Sequence, residues 1–150
     1  MGIDRLGAAL KRHRRIALDS NILIYQLEAS PKYIRLTDIL FEWLALPGSQ
    51  AITSTITMTE VLIAPYRKFD QKLADKFYGL LSTYPNLMWI PVDLEIADLA
   101  ARMRARHNFR TPDAVHAATA IHANATALIT NDPVFDRISN FDTLVLDRFL

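Results

Sequence analysis

Five short apolar runs recur along this chain, at Ile16-Ala17-Leu18, Ala51-Ile52-Thr53, Leu87-Met88-Trp89-Ile90, Ala127-Leu128-Ile129 and Thr143-Leu144-Val145-Leu146, with helix-like stretches between them. Runs this short read as strands rather than helices. Strands joined through helices pair in parallel, because a helical crossover returns the chain to the same end of the sheet. The pattern predicts an α/β domain with a mostly parallel, about five-stranded sheet covered by helices on both faces, and sites in such sheets lie beyond the strands' C-terminal ends.

The helical stretches carry their own signals. Ile3, Leu6 and Leu10 recur at helical spacing and run into the basic cluster Lys11, Arg12, His13, Arg14, Arg15. Ser30 as N-cap with Pro31 behind it opens a helix marked by Leu36, Ile39, Leu40, Trp43 and Leu44, ending at Pro47-Gly48. Thr57 and Glu60 are spaced as a capping box before Val61-Leu62-Ile63, with a stop expected at Pro65. A helix is expected from Asp70 to Ser82, and Asp93 caps the one that carries Glu95 and Asp98 early and Arg102, Arg104 and Arg106 late, as the macrodipole favours. After a loop at residues 108–110, Thr111 as N-cap and Pro112 start a helix with Asp113 in its first turn and a small apolar body, suited to lying close on a sheet.

Composition narrows the class. With 51% apolar residues, 150 residues can bury one substantial core, so residues 1–150 read as a single domain, with residues 1–15 as a basic amphipathic extension. The 17 Lys and Arg nearly cancel the 16 Asp and Glu, which neither demands nor forbids a polyanionic partner. The lack of cysteine excludes disulfides, thiolate metal sites and thiol nucleophiles. No apolar run approaches the roughly 20 residues that span a bilayer, and no cleavable leader is seen, so the expectation is a cytoplasmic protein with no membrane contact.

Four acids stand where such a sheet places its chemistry. Asp19 and Asp132 directly follow predicted strands, while Glu60 and Asp113 lie in the first turns of helices that begin near the same sheet edge. Each has an ordinary structural use: Asp19 as a helix cap, Glu60 in a capping box, Asp113 at a helix N-terminus, Asp132 as a turn residue before Pro133. Gathered together they repel one another and lose hydration, so a stable cluster of this kind calls for a cation, and hard oxygen ligands select Mg²⁺ or Mn²⁺. Such an all-carboxylate site is suited to activating a water and stabilising the leaving oxygen of a phosphodiester.

The fragments Asp19-Ser20-Asn21, Thr57-Met58-Thr59-Glu60-Val61-Leu62, Thr111-Pro112-Asp113-Ala114-Val115-His116-Ala117-Ala118 and Thr130-Asn131-Asp132-Pro133-Val134-Phe135 resemble, in order and spacing, the motifs of the PIN domain family, and within it the VapC-type toxins of toxin–antitoxin pairs. The resemblance covers nearly the whole chain and implies a three-layer α/β/α fold and metal-dependent cleavage of RNA. It implies that Asp19, Asp113 and Asp132 are metal ligands directly or through water, that Glu60 binds metal or orients the attacking water, and that Ser20, Asn21 and Thr130 are supporting polar groups. It further implies a small antitoxin protein as partner and a homodimeric toxin. Ser20 stands where family members often carry threonine and keeps the hydroxyl; the basic extension before the first strand is the other departure.

Among the remaining residues, the basic clusters at 11–15 and 102–110 are candidates for phosphate contacts, or else solvated helix ends. Arg110, entering the Asp113 turn, is the substrate-binding candidate, whereas Arg102 and Arg106 are spaced for surface pairing with Asp98. His116 shares a helix face with Asp113; it reads as a packed or solvent-facing residue, with a supporting role or a proton shuttle as the other reading. His13, His107 and His122 lack paired metal spacing, and Tyr25, Phe41, Trp43 and Trp89 read as core or dimer contacts. Two other classes compete: a fold retained as an RNA- or protein-binding module without catalysis, and an aspartyl phosphotransferase using Asp19. Retention of all four acids argues against the first. The second lacks a second aspartate in Asp19-Ser20-Asn21 and a lysine after the last strands.

Overall fold

The computed structural model describes residues 1–150. Its sheet has five strands, β1 (Arg15–Leu18), β2 (Gln50–Ser54), β3 (Leu87–Ile90), β4 (Ala127–Thr130) and β5 (Asp142–Val145), in the order β3-β2-β1-β4-β5. Every pairing is parallel, with Ile16 opposite Ala51 on one side and opposite Ala127 on the other. The helices are α1 (Gly2–Leu10), α2 (Ser20–Leu27), α3 (Ile34–Leu44), α4 (Thr55–Arg67), α5 (Gln71–Ser82), α6 (Leu94–His107) and α7 (Thr111–His122), with 3₁₀ turns at Pro133–Arg137 and Leu146–Phe149.

Alternation along the strands divides the core between two faces. Ile16, Leu18, Ala51, Ala127 and Ile129 face a cluster built from α1 to α5, including Leu6, Leu10, Leu23, Leu40 and Val61. Ala17, Ile52 and Leu128 face the other, built from α6, α7 and the aromatic rings of Phe109, Phe135 and Phe141. Each buried leucine or isoleucine contributes roughly 1.5–3 kcal/mol, which makes both layers substantial. The alanines at 114, 117, 118 and 120 are buried in α7 and let its backbone approach the sheet closely.

Helix starts and stops differ from expectation in four places. The Ser30 carbonyl accepts from the Ile34 amide at 2.8 Å, so Ser30-Pro31 forms a turn and α3 begins three residues later, after Tyr33. Helix α4 starts at Thr55 with Ser54 as its cap, and the Thr57 hydroxyl is drawn away to Thr53 at 2.7 Å, so no Thr57–Glu60 box forms. Pro65 does not stop α4, which continues to Arg67. Its missing amide removes one hydrogen bond, while its carbonyl is used by Lys68 and Asp70. Arg110, not Thr111, occupies the cap position of α7, and the Thr111 hydroxyl accepts from Arg104 at 3.0 Å.

The strand order sets the position of a site. From β1 the chain winds outward through β2 and β3, then returns to the far side of β1 as β4. Neighbouring strands β1 and β4 therefore send their following segments apart, opening a crevice at their C-terminal ends. No helix is long and apolar enough to cross a membrane.

Candidate active site

Asp19 follows β1 directly and caps α2, its Oδ1 accepting from the Ser20 amide at 2.8 Å. The Thr130 hydroxyl, at the end of β4, donates to Asp19 Oδ2 at 2.8 Å and accepts from the Asp132 amide at 3.0 Å. One buried hydroxyl thus fixes Asp19 and the turn that carries Asp132. Asp132 caps the following 3₁₀ turn by accepting from the Val134 amide at 2.9 Å. A second buried pair supports Asp19 from β2: the Thr53 hydroxyl donates to the Leu18 carbonyl at 3.0 Å, and its remaining capacity pairs with Thr57.

Glu60 and Asp113 approach from the two helical layers. Glu60 sits in the second turn of α4 and Asp113 in the first turn of α7. Asp113 takes the Arg110 guanidinium at 3.4 Å, with the arginine side chain 81% exposed and the aspartate 13%. Burial raises the Asp113 carboxyl above the usual aspartate range; Arg110 opposes this, and the nearby Asp19 and Asp132 charges add to it. Three aspartates from three separate segments therefore feel one another in one crevice.

His116, read from sequence first as packed or solvent-facing and second as a supporting group, lies against two of the acids. It is neither solvent-facing nor packed only among apolar groups. Its ring Nε2 lies 2.8 Å from Glu60 Oε1 and 3.5 Å from Asp19 Oδ1, with the histidine side chain only 2% exposed. Burial alone would push the imidazole down and Glu60 up. Their mutual hydrogen bond, joined at His116 by the charges of Asp19, Glu60 and Asp113, reverses both shifts, leaving His116 raised and Glu60 lowered. The Ser20 hydroxyl and Arg110 charge also favour ionised Glu60. The available signal was the three-residue spacing from Asp113, which puts both side chains on one helix face.

The four acids named from sequence thus border one crevice, joined by Ser20, Thr130, Arg110 and His116. No three acidic or histidine side chains converge on one point at ligand distances. Each carboxylate leans instead on a protein donor: Ser20 and Thr130 on Asp19, His116 on Glu60, Arg110 on Asp113, Val134 on Asp132. Two features nonetheless fit a hard cation bound here. The donor set is carboxylate oxygen, and Asn21 Oδ1, two residues after Asp19, is buried with no partner.

The other basic residues separate by location. The cluster at 11–15 lies at the start of β1, at the opposite end of the strand from Asp19, so it does not border this crevice. There Arg15 is spent on Gln50 and the Ala123 carbonyl, and His13 on Thr126 and Asp142. Arg102 pairs with Asp98 at 3.0 Å, while Arg104 donates to the Phe109 carbonyl and Arg137 to the His107 carbonyl, clamping the connection that delivers Asp113. His122 pairs with Glu95. Trp43 is buried in the core, and Trp89 donates to the Leu81 carbonyl at 3.0 Å.

The sequence profile of the PIN domain matches residues 16–140. The chain belongs to the PIN domain family. The match begins at β1, so α1 and the basic run before Ile16 lie outside the PIN region proper. Solved structures share the fold of this PIN protein. A toxin–antitoxin complex from Klebsiella pneumoniae is 24% identical with a TM-score of 0.67, covering 87% of this chain and 97% of the other. VapBC2 from Rickettsia felis, bound to a promoter DNA fragment, is 21% identical with a TM-score of 0.61, covering 86% and 96%. DNA-bound VapBC from Salmonella typhimurium is 19% identical with a TM-score of 0.62, covering 88% and 98%. No match to this chain is found among curated proteins.

Proposed function

We propose that this PIN protein is a metal-dependent endoribonuclease and the toxin of a type II toxin–antitoxin pair. The observation that carries the reading is the gathering of Asp19, Glu60, Asp113 and Asp132 from four separate segments at the β1/β4 switch point, with the Arg110 guanidinium within ion-pair distance of Asp113. Asp19, Asp113 and Asp132 would hold Mg²⁺ or Mn²⁺ directly or through water, and Glu60 would bind metal or orient the attacking water. The bound cation would lower the pKa of a water and neutralise charge on the phosphodiester. Thr130 and the Ser20 amide hold Asp19 in place, Asn21, two residues on, carries a buried oxygen without a partner, and exposed Arg110 would leave Asp113 for an RNA phosphate.

Likeness to a toxin–antitoxin complex from Klebsiella pneumoniae supports a small antitoxin as partner. Exposed apolar side chains at Ile63, Tyr66 and Phe69, on and just after α4, offer surface for protein contact, whether with an antitoxin or with a second copy in a homodimer. The expected setting is the cytoplasm.

The test is incubation of purified, partner-free protein with a pool of structured RNAs in Mg²⁺, Mn²⁺ or chelator, with Asp19→Asn as control. Cleavage that requires metal and disappears in the variant supports the nuclease. Cleavage that survives both chelator and the substitution rejects it, and absence of cleavage with retained RNA binding favours the binding-module class.

A further inference from the structure

We propose that His116 is a positioning residue that fixes the Glu60 carboxylate for the reaction, an inference that rests on the nuclease reading above. Glu60 belongs to α4 in one helical layer and His116 to α7 in the other, so their 2.8 Å hydrogen bond bridges the two layers across the C-terminal edge of the sheet. No other protein contact in the site joins these two helices through charged groups.

The geometry has a definite consequence for Glu60. Its side chain is 31% exposed and sits on a helix, so without a partner the carboxylate is free to swing between rotamers. His116 Nε2, donating to Oε1, removes that freedom and leaves Oε2 as the oxygen free of the imidazole. The imidazole itself has little room to swing, because only 2% of its side chain is exposed. Its second carboxylate neighbour, Asp19 Oδ1 at 3.5 Å, is held in turn by Ser20 and Thr130. His116 therefore stands between two acids of the site and sets the orientation of the more mobile one. A histidine present only for packing would have no need of either carboxylate; an apolar side chain fills the same volume without leaving polar atoms to satisfy.

The test compares His116→Leu, which keeps bulk but has no donor, with His116→Gln, whose amide can still donate to Glu60. In Mn²⁺, His116→Leu is expected to lower kcat about 10–100-fold, the range seen when partners of metal-site residues are lost, with KM for RNA little changed. His116→Gln is expected to recover most of that loss. The double variant Glu60→Gln/His116→Leu is expected to be no slower than Glu60→Gln alone, because the two residues act as a unit. Full kcat in His116→Leu, or losses that multiply in the double variant, would overturn the proposal. An independent readout uses metal-free protein: the His116 Nε2 resonance in ¹⁵N NMR is expected to move in Glu60→Gln. A resonance that stays in place overturns the positioning role whatever the nuclease does. If the resonance moves but wild type cleaves no RNA, the nuclease reading fails while the His116–Glu60 link stands.

Discussion

Thr130 gives its single hydroxyl proton to Asp19 at 2.8 Å while accepting the Asp132 amide at 3.0 Å, so one side chain in β4 sets the position of acids from two different segments. The hydroxyl is fully buried, which makes its loss costly. Thr130→Val is expected to lower unfolding stability in chelator by about 1–3 kcal/mol, the penalty for leaving buried partners unsatisfied. Thr130→Ser should retain most of it. Urea unfolding distinguishes them; a valine variant as stable as wild type would remove Thr130 from this role.

Asp113 gives a pH dependence with a definite sign. Burial comes first in raising its pKa; Arg110 takes back more than the Asp19 and Asp132 charges add, and burial still leaves the carboxyl raised. A carboxyl raised in the folded state contributes stability below its unfolded pKa and loses it as pH rises through the folded value. The Asp113 contribution to the stability of metal-free protein should therefore fall from the ordinary aspartate range upward through the raised Asp113 pKa, and Asp113→Asn should remove that contribution from the slope. Thermal melts across this window in chelator measure it; an unchanged slope in the variant would assign the effect elsewhere.

Divalent cation should reverse the repulsion. At about 100 times its dissociation constant, a bound ion adds roughly 2.7 kcal/mol to stability. Mn²⁺ is expected to raise the melting temperature of wild type and to do so far less in Asp19→Asn or Asp113→Asn. Equal shifts in all three would mean that the ion binds away from these acids.

At the other end of the molecule, two glycines of α1 make opposite predictions. A Cβ on Gly2 would collide with the Phe149 carbonyl oxygen, where Arg5 also holds the Arg148 carbonyl and stacks over the Phe149 ring. Gly2→Ala is expected to push α1 from the C-terminus and cost about 1–3 kcal/mol. On Gly7 a Cβ would meet only Ile39 Cγ2, at 3.9 Å. Gly7→Ala should instead gain about 0.5–1 kcal/mol through helix propensity. Denaturant midpoints check both, and a neutral Gly2→Ala would show that the two chain ends are not packed together in solution.

Much of this protein was legible in one dimension, because strand length, alternation and crossover helices are local properties. The runs around Ile16, Ile52, Trp89, Leu128 and Leu144 became the five strands, and their spacing by helices already pointed to a mostly parallel sheet, which is parallel throughout. The ends of those strands located Asp19 and Asp132. Helix boundaries were less legible where two local signals competed: Ser30-Pro31 formed a turn, and the Thr57 hydroxyl found a better partner in Thr53, a neighbour across the end of β2. Only the tertiary structure decided the use of His116, since the sequence gives its helix face but not that Glu60, 56 positions earlier, meets it over the sheet edge. The same holds for the basic runs. Their charge was evident from the residues, but strand β1 put residues 11–15 at the pole away from Asp19, and the fold spends Arg104 on the Phe109 carbonyl and Arg102 on Asp98. Charge and periodicity are written along the chain, whereas the partner of a side chain depends on which distant segments the sheet brings together.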